Sequence, residues 1–200
     1  MPLNERSSTT AAASGSTRDR ILDAAATVMR RDGLVRATTK VIAREAECSE
    51  ALLYKYFPDK LDIFVSVLTE RSPRLDVGVD LDGTATVREN VVVLVEGLLG
   101  FYAANFPLAA SIFGSPELLA AHRDAMRQRQ AGPQGPSSAI AHYLEAEATR
   151  GRINDVDTDA IARLLTGAAL HEAFLATYQG DSIADPHALA QRLVDSLTLD

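Results

Sequence analysis

Residues 38–64, TTKVIAREAECSEALLYKYFPDKLDIF, decide the fold. Thr38 and Thr39 stand before a run with helical spacing. A hydroxyl there accepts from the free amides of a first helical turn, so either is a natural cap. Ile42, Ala43 and Ala46 then make one apolar face. Ser49 caps a second helix, Glu50 to Tyr56, whose Leu52 and Leu53 point inward. Phe57-Pro58 stops it, because proline disfavours helical geometry in the residue before it. Asp59 caps a third helix, and Asp62 adds a carboxylate to its first turn. Two short helices across a tight turn, followed by a third, are the layout of a helix-turn-helix nucleic-acid reader.

This stretch, with ILDAAATVMRRDGLVRATT upstream (21–39), resembles the DNA-binding domain of the TetR family of transcriptional regulators. The resemblance covers about residues 17–70. Its capping hydroxyls, its Leu-Tyr-x-Tyr-Phe end and the lysine after the proline fall in register. One pair departs from the family pattern: the turn usually carries Gly-Val, and here it is Glu47-Cys48. Glu47 would hold a left-handed conformation only at a cost that glycine avoids.

The resemblance implies a role for each matching residue. Thr39, Tyr54, Tyr56 and Lys60 would contact DNA phosphates, and Ser49 belongs to the same surface. Lys60 at a helix N-terminus suits an anion, and phenols donate to phosphate oxygens while their rings pack. Lys40, Glu50, Ala51 and Lys55 would face base edges in the major groove. Lysine donates to guanine O6 and N7, and a glutamate accepts from cytosine N4. The residues alone leave alternatives: Tyr54 and Tyr56 as core aromatics, and Lys40 and Lys55 as lysines that touch only phosphate.

Charge agrees with one basic face on an acidic protein. Residues 1–71 hold 11 Lys and Arg against 10 Asp and Glu, and residues 72–200 hold 9 against 17. The three lysines, 40, 55 and 60, all lie in the reader. An acidic remainder disfavours non-specific DNA binding, so the reader must supply the attraction.

Composition bounds the rest. Two hundred residues, 46% hydrophobic, suit one or two domains with a sizeable core. No apolar run is expected to reach the roughly 18–20 residues of a membrane span. Residues 1–15 are rich in Ser, Thr and Ala, lack a secretory h-region, and read as a disordered arm. A single cysteine, Cys48, excludes an internal disulfide and fits a reducing cytoplasm.

Beyond the reader the chain is expected to be helical throughout, giving an all-α protein. A three-helix DNA-binding domain spans 16–72, with helix 4 as linker from Asp59 to about Ser72, and a helical effector-binding and dimerisation domain spans 73–200. Helix 1 is expected from Ser16 to Gly33, and DVGVDLDG (76–83) is a loop. Thr86-Val87-Arg88-Glu89 is a capping box for a helix through Asn105, with Pro107 starting a short segment to Gly114. Ser115-Pro116 opens the next, to about Gln130. Further helices run from Ser137 or Ser138 to Gly151, from Asp157 to Gly180, and from Asp185-Pro186 to Leu197.

In the family the last two helices pair with a twofold mate. Here Ile161, Leu164, Leu165, Ala168, Leu175 and Tyr178 form one stripe, and Leu189, Leu193 and Leu197 another. They suit a homodimer, which a palindromic operator requires, or packing within one chain. The family also holds small molecules among the central helices. Candidates for lining such a site are Phe101, Tyr102, Phe106, Phe113, His122, Met126, Tyr143, His171 and Phe174. No cofactor and no metal is expected, since the four histidines are scattered. Nucleotide, hydrolase and metalloprotease motifs are missing, so the chain is not expected to be an enzyme. The expectation is a ligand-responsive repressor, dimeric on double-stranded operator DNA, released by a small-molecule effector, with no membrane partner. The alternative is a helical adaptor that binds a protein and has lost DNA reading.

Overall fold

The computed structural model describes residues 15–72, 75, 85–154 and 156–197. The expected arm, most of it, and the expected loop at 76–83 lie outside the described residues. Among these residues the regular structure is entirely helical: α1 Thr17–Arg36, α2 Thr39–Glu45, α3 Glu50–Tyr56, α4 Lys60–Glu70, α5 Val87–Ile112, α6 Pro116–Gln128, α7 Gly135–Thr149, α8 Thr158–Gln179 and α9 Pro186–Asp195. The chain divides into two compact units, Met1–Val67 and Leu68–Asp200, and the division falls inside α4.

The first unit is α1 to α3 with most of α4. Ser16 caps α1 by accepting from the Asp19 amide at 3.1 Å. Gly33, at φ 76° and ψ 168°, breaks the helix before a last turn to Arg36. That backbone region is essentially open to glycine alone. Ile21, Leu22, Val28, Met29, Ile42, Leu53, Phe57, Ile63 and Val67 are buried and form the unit's core. Helices as short as α2 and α3 are unstable alone, so this burial and their caps hold them.

The second unit is built on α5, which packs against α7, α8 and α9. Its buried side chains Val91, Val95, Leu98 and Leu99 join Ile140, Leu144, Leu165, Ala169, Ala190 and Val194 in one cluster. Thr86 and Glu89 form the expected capping box. By length and composition α5 is apolar enough to cross a membrane, which corrects the expectation that no run would be. Packing accounts for part of the apolar sequence here: α7, α8 and α9 pack against α5, and 39% of its most apolar stretch is buried.

Two boundaries differ from expectation. Pro107 does not open a new segment; α5 continues through it to Ile112. An interior proline costs about 3 kcal/mol. Leu108 and Ile112, beyond it, are buried, and burying two such side chains returns roughly 3–6 kcal/mol. Helix α7 begins at Gly135, before Ser137, because Pro136 supplies a first-turn geometry without any side-chain cap. A buried carboxylate, Glu147, closes the other end of α7. Arg150 hydrogen-bonds one oxygen, and Arg152 Nη1 lies 3.0 Å from the other. Arg152 also donates to the Ala85 carbonyl before α5.

Candidate nucleic-acid interface

Helices α2 and α3 and the turn between them carry the candidate surface. Thr38 caps α2 by accepting from the Val41 amide at 3.3 Å, and Ser49 caps α3 by accepting from the Leu52 amide at 3.1 Å. Between them the chain closes a complete Schellman turn. The Cys48 amide donates to the Ala43 carbonyl at 2.9 Å, and the Glu47 amide to the Arg44 carbonyl at 3.2 Å. Glu47 takes the left-handed position, φ 51°. The turn therefore has the geometry that glycine usually supplies, built with a glutamate.

Side chains of α1 brace this turn. Arg20 donates to the Ala46 carbonyl at 3.0 Å, satisfying the end of α2. Arg31 pairs with Asp32 at 3.0 Å and with Glu45 of α2 at 3.1 Å. Arg31 in turn holds the Asp32 carboxyl below its usual range. No pattern in the sequence marks these partners, since their separation in the chain is set by the fold.

Leu53 and Phe57 face the core, and the other flank of α3 faces out. Ser49, Glu50, Ala51, Tyr54, Lys55 and Tyr56 are all exposed, as is Lys40 at the start of α2. Tyr54 and Tyr56 are 48% and 39% exposed, so they are not core aromatics. Glu50, Ala51, Tyr54 and Lys55 share one helix face through their spacing. Lys60 opens α4, where Asp59 caps by accepting from the Asp62 amide at 2.8 Å. Its ammonium sits 4.8 Å from the centroid of the Phe64 ring.

A polar chain that sequence reasoning missed joins three of these residues. The Thr39 hydroxyl donates to Glu50 Oε2 at 3.0 Å, and the Tyr54 phenol donates to Thr39 Oγ1 at 3.4 Å. The side chains meet because α2 and α3 pack with Thr39 and Glu50 at adjoining ends.

In the second unit the expected ligand residues scatter. Phe101 and Tyr102 are half-buried neighbours on α5, with ring centroids 5.1 Å apart. His122 and Met126 are half-buried on α6, and burial pushes the His122 imidazole below its usual value. Tyr143 is buried in the core, where its hydroxyl accepts from Asn90 Nδ2 at 2.9 Å. That contact engages the phenol oxygen, and burial raises its pKa. Phe113 is 75% exposed after the end of α5. Phe106 of α5 meets Phe174 of α8 edge to face at 5.9 Å, and Phe174 stacks with His171 and Tyr178 along α8.

The expected dimer residues divide likewise. Leu165 is buried in the chain's own core. Ile161, Leu189, Leu193 and Leu197 are half-buried and pack against it. Ala168 and Leu175 are half-buried too. Leu164, 65% exposed, faces outward. With Gly167, His171, Phe174 and Tyr178 it forms an exposed stripe at alternating spacings of three and four. Of the expected stripe, Leu164 and Tyr178 thus lie on a face that α8 leaves open, while Leu165 lies in the core.

Residues 21–67 match the family described as "Bacterial regulatory proteins, tetR family". Among curated proteins, the HTH-type transcriptional repressor SCO4008 of Streptomyces coelicolor is 30% identical over 97 residues, 48% of each chain. The HTH-type transcriptional repressor KstR of Mycolicibacterium smegmatis is 32% identical over 80 residues, 38% of this chain and 39% of that protein. The match thus spans about half or less of these relatives. Among solved structures, the transcriptional regulator FadR from Bacillus subtilis in complex with stearoyl-CoA aligns with TM-score 0.64 at 19% identity. That alignment covers 88% of this chain and 95% of that one.

Proposed function

We propose, from the match of residues 21–67 to the tetR family of bacterial regulatory proteins, that the chain is a dimeric transcriptional repressor that a small molecule releases from its operator. The observation that carries this reading is the outward face of α3. Tyr54, Lys55 and Tyr56 stand exposed on a short helix braced from behind, with Lys40 and Lys60 beside it. Side chains of that kind bind phosphates and base edges by contact, without catalysis.

One such helix covers too few base pairs for specificity. Two, related by a twofold axis, read half-sites roughly 34–36 Å apart. The open stripe of α8, with Leu164, Phe174 and Tyr178, supports self-association. Thr39, Tyr54, Tyr56 and Lys60 would hold phosphates, with Ser49 alongside. Lys40, Ala51 and Lys55 would face the bases.

Effector binding falls to the half-buried aromatic and polar residues of α5 and α6: Phe101, Tyr102, His122 and Met126. A mostly apolar lining with few polar anchors suits a greasy or aromatic ligand. Arg129, at the end of α6, lies 4.0 Å from Glu70, the last residue of α4. That pair supports a route by which a shift of α6 moves α4, whose first residue is Lys60. The ligand acts only through its differential affinity for the two arrangements.

The test is selection of genomic DNA fragments by the purified full chain, repeated across salt concentrations. A palindromic site with a steep salt dependence is the expected result. No binding to any fragment at low salt, by folded protein, would overturn the reading and favour a protein-binding adaptor.

A further inference from the structure

The chain Tyr54–Thr39–Glu50 has a consequence for how the reader meets DNA, and it rests on the DNA-binding reading above. A threonine hydroxyl and a tyrosine phenol each own one hydrogen. The Thr39 hydrogen goes to Glu50 Oε2 at 3.0 Å. The Tyr54 hydrogen points to Thr39 Oγ1 at 3.4 Å. Neither hydroxyl then has a hydrogen left for another acceptor. An ionised carboxylate only accepts, and so does a phosphate diester. Glu50 and a DNA backbone oxygen therefore compete for the same donor, and they repel each other within reach of it.

We propose that Glu50 is an internal stand-in for a DNA phosphate: it occupies the Thr39 hydroxyl in the free reader and must be displaced before that hydroxyl reaches the backbone. Glu50 thus lowers affinity for all duplexes alike and carries no base preference. Its exposed position makes the exchange inexpensive. Ser49 makes the cap of α3 with its own hydroxyl, so the carboxylate of Glu50 is not needed to start the helix.

The experiment uses the full chain and two duplexes of equal length. One is enriched by the wild type from a random pool, and the other has the same composition scrambled. Dissociation constants are measured by fluorescence anisotropy for wild type, Glu50→Gln, Glu50→Ala, Thr39→Val and the double variant Glu50→Gln/Thr39→Val, each checked for helicity. Glu50→Gln is expected to tighten binding to both duplexes by the same factor, about two- to fivefold per reader, as for an exposed charged contact. Glu50→Ala is expected to move both the same way. The gain is expected to shrink in the Thr39→Val background, because the released hydroxyl is then absent.

Loss of affinity for the enriched duplex alone would make Glu50 a base reader and overturn the proposal. Unchanged affinities would also overturn it. An undiminished gain in the Thr39→Val background would reduce Glu50 to simple repulsion and reject the exchange at Thr39. If the wild type binds neither duplex, the DNA-binding reading itself fails, which is a separate result.

Discussion

Replacing Glu47 by glycine is expected to stabilise the reader. Glu47 sits at φ 51° in the Schellman turn that ends α2. The left-handed conformation costs an L-residue roughly 1–2 kcal/mol. Glycine avoids that cost, but it is freer in the unfolded chain and gives back roughly 0.5–1 kcal/mol. The difference favours Glu47→Gly by about 0.5–1 kcal/mol. The turn's two hydrogen bonds are made by main-chain atoms, so the substitution leaves them intact. The chain has two units, so a single melting curve mixes their transitions. Native-state hydrogen exchange of the buried amides of α1 to α3 isolates the reader. Those amides are expected to exchange about two- to fivefold more slowly, the rate equivalent of that free energy. Glu47→Ala separates conformation from charge, because alanine keeps the left-handed cost and removes only the carboxylate. Equal gains from alanine and glycine would assign the effect to charge. Faster exchange in Glu47→Gly would refute the reasoning outright, since it would mean that the carboxylate holds the turn.

Other substitutions probe the remaining links. Gly33→Ala forces a side chain onto φ 76° and ψ 168° with no atom near the new Cβ; a backbone cost of about 1–3 kcal/mol is expected, seen as faster exchange in α1, and unaltered exchange would contradict it. Lys60→Ala is expected to weaken binding to every duplex and to lower the salt slope by about one per reader; a constant slope would remove Lys60 from the phosphate contacts. Leu164→Glu places a charge on the open stripe of α8; the wild type is expected to sediment as a dimer and the variant as a monomer. A dimer that persists in Leu164→Glu would locate self-association elsewhere.

The reader was legible because its signals are local. Thr38, Ser49 and Asp59 each bond an amide three residues on, and such caps appear in sequence as hydroxyls or carboxylates at fixed spacing. Leu53 and Phe57 declare the inward face in the same way. What stayed hidden was contact between separate elements. Arg20 finds the Ala46 carbonyl 26 residues away, and Tyr143 finds Asn90 53 residues away. Tyr143 reads as a pocket residue in isolation and becomes core only when α5 and α7 meet. Leu165 and Leu164 look alike in the stripe, yet one is buried and the other open. A period of 3.6 distributes apolar residues around α8 without saying which arc the chain itself will cover. Pro107 misled for a related reason: its local penalty is visible in sequence, while the burial of Leu108 and Ile112 that offsets it is not.

These facts together constrain how regulation can work. Helices of seven residues, such as α2 and α3, do not persist without their partners. Here each has a side-chain cap, a Schellman turn joins them, and Arg20 and Arg31 tie α2 to α1. Bending the reader internally would break several of these contacts at once. Exchanging the hydrogen-bond partner of Thr39 breaks one exposed contact and makes another. On the proposed reading, DNA binding would therefore adjust the surface at Glu50, Thr39 and Tyr54 while the three-helix frame stays fixed. An effector acting as proposed would be left with the placement of the whole reader, through α4, as the variable it could move. Hydrogen exchange within α1 to α3 should accordingly be the same with and without effector, while operator affinity falls. Loss of protection inside the reader on adding effector would show that the ligand melts the frame, and would exclude a rigid displacement.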